Sequence, residues 1–297
     1  AVGTVADCVS LARSVNNRVI VQYGLQRINE FKRPCWQALQ PLLKNSKVSA
    51  EDLGFMIGPL LNSDGRLSDA LGAVNFLLSH DLGQAGPFAQ LLWQQNETRK
   101  RIQKELVTDA IIIAQNQVFQ GRLSLVIFLE EGHAGVHGIA ASRIKDTFGR
   151  PTVILSPKLN DPNIITGSCR SIDDIHVRDV LQIIHELHPE LLVKFGGHKA
   201  AAGITLRFED LELFAHTFEE VVSNMLQGKQ VGPLLLTDGH LQENINLDLI
   251  AMLKTLAPFG REFDEPLFEG MAYVKSVRRF GQNLNHLEFK LALQHQN

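Results

Sequence analysis

The chain has 297 residues, 44% hydrophobic and 21% charged, with a formal net charge of -3. That length builds about two domains, and the composition is that of an ordinary globular protein without an overall basic field. No apolar run approaches the ~20 residues of a membrane span, and no signal peptide opens the chain. Cys8, Cys35 and Cys169 lie far apart and form no CxxC pair, which argues against a disulfide framework or a zinc ribbon. Together these features point to a cytoplasmic protein. A nucleic-acid partner would have to be met by a local patch, because binding follows charge distribution and not the total.

The opening AVGTVADCVSL has no methionine and begins at once in an apolar run that reads as a strand. Gly3, Thr4 and Asp7 then stand at the strand's end, where α/β proteins often place functional carboxylates. Such a strand has nothing before it to pair with. The expectation is therefore a piece cut inside a larger domain, a processed native terminus being the alternative. Residues 16–31 read as a helix, with Val19, Val21, Tyr23, Leu25 and Ile28 apolar. Ser49 is a good N-cap, with Glu51 and Asp52 at the positive end of the helix it starts. Gly58-Pro59 and Ser63-Asp64-Gly65 are turn signals. Leu71, Val74, Leu77 and Leu78 then form an apolar helical stripe. From Pro87 to about Gln117 runs one long helical pattern, apolar at both ends and polar all round across QQNETRKR, residues 94–101. That pattern suits a bridge between two domains; a surface helix with a charged face is the plainer reading.

After residue 121 the period changes. RLSLVIFLE, PTVILS and GITLRF read as strands; VHGIAASRIKDTF, VRDVLQIIHEL and DLELFAHTFEEVVSNML read as helices. This alternation predicts a compact α/β domain over about 120–227. Gln227-Gly228-Lys229 and Gly232-Pro233 mark a linker. EPLFEGMAYVKSVRRF and LNHLEFKLAL then read as strands of a small β unit.

Four clusters could carry chemistry. Asp7 could bind a hard cation, but one carboxylate makes no site, and a turn or cap role is the simpler reading. Gly167-Ser168-Cys169-Arg170-Ser171 combines a hydroxyl with a guanidinium fork suited to phosphate or carboxylate; otherwise it is a polar loop. In KFGGHKAAAG, Gly196 and Gly197 admit close backbone approach, and His198 could donate to a phosphate or move a proton. It could equally be a glycine turn with a packed histidine. His133 and His137 share a helical face, but no HExxH glutamate or third ligand accompanies them, so a zinc site is not expected. Basic residues gather at Arg99, Lys100, Arg101 and Lys104, at Arg143, Lys145 and Arg150, and at Lys275, Arg278 and Arg279. Each group could be a solvated face; together, beside a small β unit, they suit a groove for a single strand.

The succession GTVAD, LNSDGR, NETRK, GHAGVHGIAASR, GSCRS, KFGGHKAAAG and APFGREFDEPLF, from about residue 3 to 297, resembles the RecJ single-stranded-DNA-specific exonucleases of the DHH phosphoesterase superfamily. The GSCRS and GGHKAAAG pair is the most specific part. The resemblance implies an α/β architecture: the end of a DHH catalytic domain (1–83), a bridging helix (84–118), a mixed α/β DHH-associated domain (119–228) and an incomplete OB-fold (229–297). It implies a parent enzyme that degrades single-stranded DNA from the 5′ end with manganese or magnesium, in recombination and repair, as a monomer without a membrane. Asp7 would be a metal ligand. Ser168 and Arg170 would grip phosphate, with Gly196, Gly197 and the catalytic His198 facing the metals. Arg66 would contact DNA, Asn62 and Gly65 matching the same motif.

The departures from the family are specific. No DHH and no DxD occurs in the chain, so the metal site is expected to be incomplete and the fragment to bind DNA without cleaving it. Gly132 stands where the family has tryptophan. Ser63 and Asp64 replace small residues in LNxxGR, and a carboxylate there would repel phosphate unless it points away. A superfamily phosphodiesterase of short oligonucleotides or cyclic dinucleotides is a rival reading, as is a non-catalytic nucleic-acid-binding module. The ~70 residues that follow GGH favour the long-DNA enzyme over the first. The metal-type carboxylate in GTVAD argues against the second for the parent.

Overall fold

The computed structural model describes residues 1–43, 45–67, 70–240, 246–281 and 284–293. Helices α1 (Val2–Ala6), α2 (Val15–Asn29), α3 (Pro34–Leu39), α4 (Ala50–Asp52), α5 (Gly58–Leu67), α6 (Leu71–Leu78) and α7 (Leu82–Phe119) come first. The α/β part follows in the order β1 (Leu125–Phe128), α8 (Ala134–Phe148), β2 (Thr152–Lys158), β3 (Asp161–Arg170), α9 (Val177–Leu187), β4 (Lys194–Gly197), β5 (Ala201–Arg207) and α10 (Leu211–Leu226). Helix α11 (Leu247–Thr255) and strands β6 (Ala272–Phe280) and β7 (His286–Leu293) end the chain. These elements form two compact units: residues 1–59 with 235–297, and residues 60–234.

In the first unit, the segment expected as a strand is the helix α1, with Asp7 as its C-cap. A strand here has no partner among the described residues, whereas a helix meets its backbone bonds locally, as in Val5 N–H to Ala1 O and Asp7 N–H to Gly3 O. Ser49 caps α4 as expected, its hydroxyl and the Asp52 carboxylate each taking the other's backbone N–H. Gly58-Pro59 is not a turn. Residues Leu53–Ile57 wind wide, and the Gly58 N–H reaches back five residues to Leu53 O. That wide turn accommodates a proline with no N–H to give, so the helix continues into α5. A small core of Leu11, Val21 and Ala50 is joined by Val5, Leu25 and Phe263. The two expected C-terminal strands pair as the antiparallel hairpin β6–β7.

In the second unit, Ser63-Asp64-Gly65 is helical too, because tertiary partners take up its side chains. Ser63 Oγ lies 2.6 Å from Leu60 O and 3.2 Å from Leu92 O, and Gln95 Nε2 donates to Asp64 Oδ1 at 2.8 Å. Asp64 is therefore buried against α7 and does not face a ligand. Helix α6 exists, but Ala73 and Phe76 are its buried residues, while Leu71, Val74 and Leu78 of the expected stripe are exposed. Helix α7 is long, as read, yet its middle is not wet all round. Asn96 and Arg99 are buried, and Arg99 Nε donates to Asn96 Oδ1 at 3.1 Å. Its N-terminal half packs on α6 and its C-terminal half on α8 and β1.

The sheet of this unit runs β1-β2-β3-β5-β4, parallel between β1 and β2 and antiparallel elsewhere. One face, with Val153, Leu155, Ile165, Cys169, Ala202, Ile204 and Leu206, closes against α9 and α10, where Phe214 and Phe218 are fully buried. Each such aromatic contributes about 1.5–3 kcal/mol by burial. On the other face Leu125, Ile127 and Ile154 pack with α7 and α8. Glu219 closes the edge by accepting the N–H groups of Leu123 and Ser124 at 2.8 and 2.9 Å.

His137 of α8 is buried, its Nε2 2.9 Å from Ser156 Oγ, which itself lies 3.2 Å from Gly132 O. The pair ties the loop before α8 to the sheet. Burial lowers the His137 pKa from 6.5 to about 4, with His133 adding to the effect. The unfolded imidazole takes up its proton first as the pH falls. Stability that is complete above pH 6.5 should therefore be lost as the pH drops toward 4, on the order of 3 kcal/mol. Thermal midpoints measured over that range should fall less steeply for His137→Leu than for the unchanged chain; equal slopes would reject the assignment.

Candidate nucleic-acid interface on the open sheet face

GSCRS, read as a loop, is the end of strand β3, and FGG of KFGGHKAAAG lies in strand β4. Alternation along the strands then sorts their side chains. Cys169 and Ile165 enter the core, so Ser168, Arg170 and Thr166 point to the opposite face. The register extends this into rows. Thr152, Arg170 and Ala201 form the first row. Ile154, Ser168, Gly203 and Gly196 form the second, and Ser156, Thr166, Thr205 and Lys194 the third. Helix α8 covers the β2 end of these rows, burying Ile154 and Ser156. Toward β5 and β4 the cover stops: Gly203, Gly196 and Lys194 are exposed, and Ser168, Thr166 and Thr205 half-buried. What remains is a flat floor of hydroxyls and glycines, with cations at its edges.

The two expected glycines play different parts. Gly197 has φ +156, and a Cβ there would lie 2.3 Å from Ala201 O and 2.4 Å from Ala202 Cα, so the hairpin itself requires it. A Cβ on Gly196 would meet nothing within 4 Å. Nothing in the fold demands its bareness, which leaves room for backbone approach from outside.

His198 lies just past β4, exposed, on a turn fixed at several points. Its N–H donates to Ala201 O at 2.8 Å, Ser171 N–H to Ala200 O at 2.9 Å and Val177 N–H to Lys199 O at 3.0 Å. The bland expectation of a packed histidine is therefore not met. The Arg170 guanidinium lies across α8 at Gly138, where a Cβ would come within 2.4 Å of Nη2, and Nη1 donates to Cys169 O at 2.8 Å. Burial drives the neighbouring Cys169 thiol up to about 12, which makes it inert packing. Arg207, in line with the floor, is engaged by Asp210 at 2.8 Å and Glu209 at 3.0 Å.

The structure thus brings Ser168, Arg170, Gly196, Gly197 and His198 together at one end of one sheet. Asp7 belongs to the other compact unit and is exposed. Arg66 falls on α5, and its side chain lies outside the described residues. Sequence reasoning missed Lys194, Thr166 and Thr205. The signal for Thr166 and Thr205 was the in-out alternation of DPNIITGSCR and AAGITLR, which glycine and serine disguise. Among the described residues no three of His, Cys, Asp and Glu gather as a metal-binding group. Asp7 alone does not make a metal site.

Two family models match: the DHHA1 domain over residues 123–224 and the RecJ OB domain over residues 237–297. The single-stranded-DNA-specific exonuclease RecJ of Haemophilus influenzae is 37% identical over 300 residues, covering 98% of this chain and 51% of that protein. The RecJ of Escherichia coli is 35% identical over 291 residues, covering 95% and 49%. The crystal structure of Thermus thermophilus RecJ with Mg2+ superposes with a TM-score of 0.81 at 26% identity, covering 98% of this chain and 44% of that one; the Mn2+ complex gives 0.81, 100% and 43%. The chain spans about half the length of these relatives. Similarity to RecJ proteins runs along nearly all of the chain's residues, which include a DHHA1 domain and a RecJ OB domain.

Proposed function

We propose that the chain is the DHHA1 and OB part of a single-stranded-DNA exonuclease working from the 5′ end in recombination and repair, and that the open sheet face is where it holds the sugar-phosphate backbone. The observation that carries this reading is the uncovered strip of Gly196, Gly203, Ser168, Thr166 and Thr205 between Lys194 and Arg170. Hydroxyls and cations suit phosphate oxygens. A bare floor suits a chain that must lie close, and a flat one places no demand on base sequence.

In this reading Ser168 and Arg170 orient a phosphodiester, Gly196 lets it approach, and Gly197 holds the hairpin that presents it. His198, on its fixed turn, donates to a phosphate oxygen and so stabilises negative charge developing there. We assign Arg66, in the segment of α5, a contact to DNA by the same reading. Manganese or magnesium would serve the parent protein, with Asp7 as one ligand; the further carboxylates such a centre needs are not among this chain's motifs. We assign the parent protein to the cytoplasm, as a monomer. The similarity to RecJ proteins described as single-stranded-DNA-specific, and the match to a RecJ OB domain, support this substrate over cyclic dinucleotides.

The 297-residue chain should bind a fluorescent oligodeoxynucleotide weakly at low salt, more weakly as salt rises, and leave it uncut with manganese present. Arg170→Ala should weaken binding about three- to ten-fold by anisotropy; an unchanged titration would count against the phosphate role.

The two glycines should separate stability from binding. Gly197→Ala should destabilise the chain by about 1–3 kcal/mol in a urea titration. Gly196→Ala should leave the midpoint nearly unchanged and still weaken DNA binding. Full binding by Gly196→Ala would remove the floor from the reading.

A further inference from the structure

The RecJ OB segment reaches back to the stretch that carries Asp7, and both belong to the first compact unit. Several contacts join them. Arg13 Nη2 donates to Glu262 Oε1 at 2.8 Å, and its Nε lies 2.7 Å from Oε2 in the same ion pair. Leu11 N–H donates to Arg261 O at 2.9 Å. Arg18 Nη2 donates to Leu256 O at 2.6 Å, and its guanidinium carbon lies 4.0 Å from the centre of the Phe263 ring. Phe263 packs on the core of Leu11 and Val21, and a Cβ on Gly260 would lie 2.7 Å from Leu11 Cδ1.

Glu262 has φ +62, a left-handed conformation that a glutamate holds only where its surroundings over-determine it. Ser10 and then Arg13 hold its carboxyl below the usual range, so it is ionised at neutral pH. The Arg13 side chain is 79% exposed, and an exposed ion pair adds little to stability. What a charge-assisted hydrogen bond at this spacing does supply is geometry.

Asp7 lies between two anchors. On one side α1 holds it through Asp7 N–H to Gly3 O at 2.9 Å, with Val9 N–H to Thr4 O at 3.0 Å just beyond. On the other side the chain runs only four residues before Leu11 is fastened to Arg261. Loosening the second anchor frees residues 8–13 to shift, and Asp7 with them.

We propose that Arg13, Arg18, Glu262 and Phe263 form a clamp through which the OB segment positions the Asp7 carboxylate. This rests on the reading that Asp7 serves the hydrolytic centre of the parent protein. Glu262 and Arg13 are positioning residues: they touch neither substrate nor reacting atoms. The OB segment then has a task at the reaction centre besides any contact it makes with DNA.

The test is Glu262→Gln, which removes the charge and keeps the shape. In the 297-residue chain, hydrogen exchange of residues 8–13 should speed up, with the Leu11 amide affected most. In the parent protein, kcat on single-stranded DNA should fall about ten-fold or more, as small misplacements near a reaction centre do. KM should stay within about two-fold, and the thermal midpoint within a few degrees. The charge-reversed pair, Arg13→Glu with Glu262→Arg, should recover most of the lost kcat. Unchanged kcat in Glu262→Gln beside a dead Asp7→Asn overturns the clamp alone. Unchanged kcat in both variants overturns the Asp7 reading itself. A fall in kcat matched by a fall in thermal midpoint, without recovery in the reversed pair, reduces the contacts to structural support and also overturns the clamp.

Discussion

The pairing of Gly167 with Ile204, and of Cys169 with Ala202, decides which side chains of β3 and β5 enter the core. Because successive side chains alternate, a slip of one residue between these strands would exchange the faces. Ser168 and Thr166 would be forced under α9 and α10, and Ile165 and Cys169 would face water. The apolar demand of the α9–α10 side, with Phe214, Phe218, Val180 and Ile184 fully buried, holds the register against that slip. The hydroxyl and glycine rows are thus placed by packing on the opposite face of the same sheet. These rows need no loop to hold them, which suits a surface that keeps its shape.

A sheet of five strands has two faces to cover, and this unit covers them unequally. Helices α9 and α10 close one side; α8, backed by α7, covers the other only over β1, β2 and part of β3. Gly138 sets how closely α8 and the Arg170 guanidinium lie together. A bulkier residue there would push the arginine outward over the floor. The side of the sheet left bare carries Lys194, while Arg207 is balanced by Asp210 and Glu209. Lys194 and Arg170 thus place cations at the edges of the bare strip, although the chain as a whole has a net charge of -3.

Long periodic elements were legible in the sequence: α2, α7, α8, α9 and α10, the buried strands β1 and β2, and the two C-terminal strands. So was the Ser49 cap, since it rests on a local exchange of hydrogen bonds. Strands β3 and β4 were not, and the reason lies in the site. A face that must stay open carries Gly, Ser and Thr where a two-sided strand would carry Val or Ile, and such a strand looks like a loop. The polar middle of α7 misled in the opposite direction. Asn96 and Arg99 are buried because they serve each other and Asp64 serves Gln95, pairings that lie up to 31 residues apart. Helix α6 is apolar on most sides, so its periodicity could not say which face turns inward. The motifs single out Ser168, Arg170, Gly196, Gly197 and His198 as candidates, yet only the register shows why Gly196 and Gly197 differ.

The His198 turn carries the same logic one step further. An exposed imidazole on a free loop would pay its own ordering entropy at each encounter with a phosphate. Here the backbone on both sides is already fixed: Ala200 and Lys199 accept from Ser171 and Val177 at the start of α9, and Ala201 accepts from His198 itself. Ser171 is held in turn through its hydroxyl to Ile175 O at 2.8 Å. The turn is therefore anchored to the buried core beneath α9, while its side chain alone stays in solvent. In the proposed reading only the side-chain torsions of His198 remain to be ordered when it meets a phosphate oxygen.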